Sequence, residues 1–145
     1  MTELKIGGRV IPLLYTTKEL IDIQNELGCT GHQIRDEVFG IRQTDEDDPT
    51  SIVFDCVTDG KKTEKLGTLI RILGNAGLEE NGEQPDLTDK WILRHMKPGL
   101  ILAFALVVMA EINIGNRVEL TEDDKEKGPV DETLEEQLAK KPQGS

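Results

Sequence analysis

Aromatic residues are scarce in this chain of 145 residues: one tryptophan (Trp91), one tyrosine (Tyr15) and three phenylalanines. Any core it builds has to be mostly aliphatic. Cysteine is almost absent as well, with only Cys29 and Cys56. The opening MTELKIGGRV carries no long apolar stretch of the secretory kind, so both thiols are expected reduced in a cytosol. A structural metal usually takes four Cys or His ligands. Cys29, His32, Cys56 and His95 reach that number only in a spacing that matches no zinc pattern, so no metal and no cofactor is expected. Catalytic signatures are missing too. There is no Gly-x-Ser-x-Gly, no phosphate-binding Gly-Lys-Ser/Thr and no His-Glu-x-x-His. His32 and His95 fall in different elements, and a Cys56–His95 nucleophile pair would depend on tertiary closeness. A chain without a chemical site reads as a binding module rather than an enzyme.

Positive charge is in short supply: 17 basic residues against 28 acidic ones, a net charge of −11. Phosphate backbones and anionic lipid surfaces both repel such a chain. General nucleic-acid binding and membrane docking are therefore not expected, although an acidic mimic of nucleic acid stays open. The length suits one domain.

What the chain does have is one apolar run. Residues 100–110 read LILAFALVVMA. At eleven positions the run is shorter than the about 20 apolar residues of a spanning helix. A helix apolar on all sides is normally buried on all sides, so the run is expected to form a central core helix. Fully buried, its eight large side chains would contribute on the order of 12–24 kcal/mol before entropy is subtracted. Pro98 suits the first turn of that helix and Gly115 its end. Should one side be uncovered, Leu102, Leu106 and Met109 form the stripe where a partner would bind.

The remaining elements follow from punctuation. Gly7-Gly8 between short apolar segments signals an N-terminal hairpin, and Pro12 makes its strand an edge or ends it early. Thr16 and Glu19 have capping-box spacing, Leu20, Ile23 and Leu27 share one helical face, and Gly28 closes that helix. Thr30 opens a shorter helix through Ile34, Val38 and Phe39, ended by Gly40. Residues 42–50 read as a break, and the Asp-Glu-Asp-Asp of positions 45–48 as a solvated loop rather than a calcium site, since the spaced ligand pattern is missing. Residues 51–57 (SIVFDCV) are ambiguous between strand and helix. A helix from Thr63 is expected to end at Gly74-Asn75-Ala76-Gly77, followed by a polar loop at 78–85. Asp86 or Thr88 then caps a helix carrying Trp91 and Ile92.

Beyond Val118 the composition changes. Residues 119–145 hold nine acids and four bases, and disorder is the expectation for such a tail. Leu134 and Leu138 lie four apart, so residues 131–141 would form an amphipathic helix if a partner offered a groove. The reading is thus a mainly α (α+β) domain over residues 1–117, a small N-terminal β-hairpin followed by a compact bundle of four to five helices, with an acidic tail at 118–145.

The order of these elements resembles the tail assembly chaperones of long-tailed bacteriophages and prophages. The resemblance spans residues 3–117: the hairpin and capped helix of ELKIGGRVIPLLYTTKELIDIQNELG, the Ile-Leu-Gly-Asn-Ala-Gly at 72–77, the Leu87-Thr88 cap, the apolar last helix ending at Ile114-Gly115, and then an acidic tail. It rests on element order and helix ends, not on an invariant motif. It implies a non-enzymatic assembly factor of the host cell cytoplasm that binds the tape-measure protein, keeps it soluble, recruits tail-tube protein and is absent from the mature virion. The partner surface would then include Leu102, Leu106, Met109, Leu134 and Leu138. Competing readings are a head–tail connector or tail-completion protein that stays in the particle, an acidic nucleic-acid mimic, and a small enzyme.

Members of this family often make a longer product by ribosomal frameshifting near the end of the first reading frame. Ala139-Lys140-Lys141 is what an adenine-rich, slippery codon series encodes. The resemblance therefore predicts a slippery heptamer at this triplet with an overlapping frame behind it. Reading the nucleotide sequence checks this, and a gene with neither feature dismisses it.

Overall fold

The computed structural model describes residues 1–117. The expectations placed on 118–145 (the disordered tail, the helix at 131–141 with Leu134 and Leu138, and the Ala139-Lys140-Lys141 triplet) lie outside the described residues. The chain is mainly helical with an N-terminal two-stranded hairpin.

Strands β1 (Thr2–Ile6) and β2 (Arg9–Leu13) pair antiparallel in the register Ile6↔Arg9 to Thr2↔Leu13. Gly7 and Gly8 both sit at positive φ, 57° and 77°, which a two-residue turn matched to strand twist requires. Leu4, Ile6, Ile11 and Leu13 turn one face of the hairpin into the core. Helix α1 (Thr17–Leu27) begins where the capping pattern places it. The Glu19 carboxylate reaches back to accept the Thr16 N–H at 2.9 Å, and Gly28 closes the helix at φ 68°. The short helix expected after Thr30 is a single wide turn of π type, Arg35–Phe39, closed by Gly40 at φ 60°.

The break expected at 42–50 is instead a second hairpin. Strands β3 (Ile41–Gln43) and β4 (Ile52–Phe54) pair antiparallel, so Arg42 and Gln43 are strand residues and the acidic stretch is the connecting loop. The ambiguous segment 51–57 turns out to be both things in succession, strand β4 and then a 3-10 turn at Asp55–Val57. Phe39 meets Phe54 edge to face at 6.4 Å between ring centroids, which seats this hairpin on the core.

The largest departure is helix α2, which runs 21 residues, Gly60–Glu80, straight through the glycines expected to end it. Those glycines answer to packing. A Cβ at position 77 would lie 1.9 Å from the Pro12 carbonyl oxygen, and one at 74 would lie 2.6 Å from a Leu87 methyl and 3.0 Å from an Ile11 methyl. Gly67 does the same against Leu93 at 2.7 Å. The missing side chains bring α2 close enough to β2 for the Leu14 N–H to donate to the Leu73 carbonyl at 3.0 Å. Asn75, read as part of a helix end, pairs its side-chain amide with both backbone groups of Leu87, at 2.9 and 3.2 Å. That holds the incoming loop against α2.

Helix α3 (Asp89–His95) is capped by Thr88, whose hydroxyl accepts the Trp91 N–H at 3.1 Å. Arg71 on α2 bridges Glu26 of α1 and Asp89 of α3. The two carboxylates raise the pKa of its guanidinium. A 3-10 turn with Pro98 at its start leads into α4 (Ile101–Asn116), one residue longer than its expected end at Gly115. Gly115 also serves packing, since a Cβ there would lie 2.5 Å from Tyr15.

If Gly77 is a contact residue, Gly77→Ala overturns helix propensity. Alanine is favoured over glycine in a helix by about 1 kcal/mol, yet here the substitution should destabilise by about 3 kcal/mol through overpacking against Pro12. Gly60→Ala, where nothing lies within 4 Å of the added carbon, should be neutral or slightly stabilising. Urea unfolding of both variants is the check, and a stabilised Gly77→Ala would refute the contact.

Candidate partner-binding surface

Helix α4 is apolar on all sides, but only one side is covered. Ile101, Phe104, Ala105, Val108, Glu111 and Ile112 are buried, and this spacing of three and four residues marks one helical face. The opposite face is open. Leu102 is 44% exposed, Leu106 49% and Ile114 46%, with Ala103 and Ala110 between them. The expectation of a helix buried all round is therefore corrected. A run of eleven apolar residues satisfies the core with about half its circumference, and among the described residues no element covers the rest.

The helical stretch is also longer than the eleven-residue apolar run. The turn before α4 and the residues after the apolar run extend the helical stretch to Pro98–Asn116. These 19 residues are long and apolar enough by length and composition to cross a membrane, and a third of them are buried within the described structure. What ties α4 to the rest is a carboxylate. Glu111 is only 2% exposed. One of its oxygens accepts the Thr2 N–H at 2.9 Å and the other the Tyr15 N–H at 3.1 Å. A buried carboxylate held by backbone N–H groups satisfies donors that would otherwise be orphaned at the start of β1 and the end of the hairpin.

The exposed stripe continues into a groove. Leu102 and Leu106 form one wall, and Ile52, Val53, Phe54 and Val57 form the other, enclosing about 530 Å³. At the rim Arg42 donates from Nε to both Asp55 carboxylate oxygens at 3.0 Å. The two strands β3 and β4 form a sheet of their own, so among the described residues β4 has one edge without a strand partner.

Of the partner residues named from sequence, Leu102 and Leu106 lie on the open stripe and in the groove wall. Met109 is half-buried and packs against the core. Leu134 and Leu138 lie outside the described residues. Sequence reasoning missed the second wall of the groove, although SIVFDCV was its signal, and it missed Ile114 beyond the apolar run. It also missed the anchoring part of Glu111, whose signal was a lone acid directly following eleven apolar positions.

The residues weighed for other chemistry fall apart in space or are otherwise engaged. Cys29 and Cys56 are buried, and burial raises both thiol pKa values above the ordinary range, which favours the protonated, unreactive form. The Cys29 sulfur faces the Leu27 carbonyl at 3.5 Å, while His32 is exposed. His95 stacks on Trp91 and shares its Nδ1 with the Trp91 carbonyl at 2.7 Å. Among the described residues no three His, Cys, Asp or Glu side chains gather around a metal position. In the acidic loop, Asp45 accepts the Asp47 N–H, and Asp48 accepts the Thr50 N–H and hydroxyl at 3.0 and 2.6 Å. Those bonds lower the Asp48 pKa. These carboxylates shape a turn.

No protein-family model, no characterised protein and no solved structure matches the chain.

The two faces of α4 make opposite predictions. Leu102→Glu with Leu106→Glu should leave unfolding free energy within about 0.5 kcal/mol of the parent, because both side chains are exposed. Glu111→Ala should lose about 2–4 kcal/mol, because it strands two N–H groups away from water. Thermal and urea unfolding separate the cases, and a strongly destabilised Leu102/Leu106 variant would mean that this face is part of the core.

Proposed function

We propose that the protein is a non-enzymatic tail assembly chaperone of a long-tailed phage or prophage, acting in the host cytoplasm. It binds the tape-measure protein, keeps it soluble and recruits tail-tube subunits, and it leaves before the virion matures. The observation that carries this reading is the open apolar face of α4 with its groove against β4. A chaperone of a long hydrophobic helical client needs an apolar surface that the free protein keeps in water. Leu102, Leu106 and Ile114 form such a stripe, and an amphipathic client helix would lay its apolar face on it. The high negative charge supports the same reading, since like-charged complexes repel one another and stay dispersed. The family is what the sequence resemblance implies, although α2 runs through the helix end expected at 72–77 and the β3–β4 hairpin adds to the expected element order.

In this reading the client takes the stripe, the core face of α4 is scaffold, and the acidic tail adds solvation or a second contact through Leu134 and Leu138. No metal, cofactor, nucleic acid or membrane takes part. The alternative of a connector or tail-completion protein would use the same face against neighbouring subunits and remain in the particle.

Co-expression with a tape-measure fragment is the test. The fragment should move from the insoluble to the soluble fraction with the parent protein, and should stay insoluble with the Leu102→Glu, Leu106→Glu variant at matched expression. An insoluble fragment in both cases counts against the chaperone. Mass spectrometry of purified virions should not find the protein, and its presence there would favour the connector.

A further inference from the structure

The described residues hold a second feature, away from the α4 stripe, where helix α3 meets the tip of the first hairpin. Trp91 and His95, one helical turn apart, stack at 4.3 Å between ring centroids. The Arg9 guanidinium lies over the Trp91 ring at 5.5 Å. Gly7 fits against both rings because it has no side chain; a Cβ there would lie 2.9 Å from each. These contacts fix the rings as a shelf, and both remain partly exposed. Beside it, Thr88, Lys90, Trp91, Arg94 and His95 line a concave surface of about 320 Å³.

The charge on this shelf runs against the rest of the chain. Residues 1–117 hold 19 acids and 13 bases, yet Lys90 and Arg94 both line this concavity, and neither is among the ion pairs of the described residues. Nearby acids are already engaged: Asp86 with Arg9, and Asp89 with Arg71 and Thr68. Arg94 lies in the last turn of α3, where the helix dipole favours a cation. Lys90 has no such excuse. It lies in the first turn, where the dipole opposes it, and four residues from Arg94, a spacing at which like charges repel. An arrangement unfavourable in the free protein, beside a preformed aromatic shelf, fits an anion supplied from outside.

We infer that the Trp91–His95 shelf with Lys90 and Arg94 binds a short acidic peptide segment of a protein partner. Carboxylates pair with Lys90 and Arg94, and an apolar side chain of the segment rests on Trp91. A nucleic acid fits less well. The seven residues of α3 span only about 10 Å, and a duplex, with a charge every ~1.7 Å of its axis, would run past the patch into the surrounding acidic surface. This surface is separate from the one that carries the proposed function, so either can fail alone.

Trp91, the only tryptophan of the chain, reports directly. The probe is a capped peptide of repeated Glu-Glu-Leu units, titrated into the full-length protein, followed by Trp emission and by calorimetry. Saturable binding is expected, weakening by about tenfold or more between low and physiological salt. The Gln-Gln-Leu peptide should not bind. Lys90→Glu with Arg94→Glu should abolish binding of the acidic peptide while the melting temperature stays within about 3 °C of the parent, since both side chains are exposed. The proposal is overturned if the acidic peptide gives no saturable signal by either method, if the Gln peptide binds equally, or if the charge-reversed variant binds as before. A single-stranded oligonucleotide that binds more tightly than the peptide would also overturn it, in favour of a phosphate ligand.

Discussion

The approach of helix α2 to strand β2 is the constraint on which the other contacts depend. At Gly77 the helix backbone lies against the Pro12 carbonyl with no room for a methyl group. One turn earlier, the Leu73 carbonyl accepts the Leu14 N–H from the strand end. This backbone-to-backbone contact fixes the separation at which Leu66, Leu69, Ile70 and Leu73 meet Leu4, Ile11 and Leu13. It also places α2 where Arg71 can reach α1 and α3 together and where Asn75 can hold Leu87. A larger residue at 74 or 77 would separate helix and strand and open these contacts together.

Helix α4 depends on the hairpin in a different way. Its inner face packs through Phe104, Ala105 and Val108, and Glu111 pins it to the backbone at Thr2 and Tyr15. Nothing in residues 1–117 covers its outer face. Burying a large aliphatic side chain is worth roughly 1.5–3 kcal/mol, so an exposed Leu102, Leu106 and Ile114 leave a driving force for association that folding has not used. The charge pattern divides the surface further. An uncharged stripe on α4 and a basic shelf on α3 are set in an otherwise acidic chain, and each favours a different chemistry of partner.

Much of the local architecture was legible in the sequence because it follows from short-range rules. The Gly7-Gly8 turn, the Thr16–Glu19 cap, the left-handed closures at Gly28 and Gly40 and the Thr88 cap each depend on a few consecutive residues, and each occurs where those residues stand. The errors have one common source. Gly74 and Gly77 look the same in sequence whether they end a helix or let a strand approach it, and Arg42 and Gln43 look like loop until a partner strand is placed beside them. The candidate surface was half legible. The Leu102 and Leu106 stripe could be named as a possibility, but the helix was expected to be buried, and the opposing wall of Ile52, Phe54 and Val57 was not assigned to it.

By itself, the sequence determined the Gly7-Gly8 turn and the caps at Thr16 and Thr88, which residues are apolar, and where charge accumulates, since these depend on local propensity and composition. Only the tertiary structure decided which side of an all-apolar helix meets water. That choice depends on how many other elements are available to cover it, and on the one acid, Glu111, that sets its rotation about its own axis.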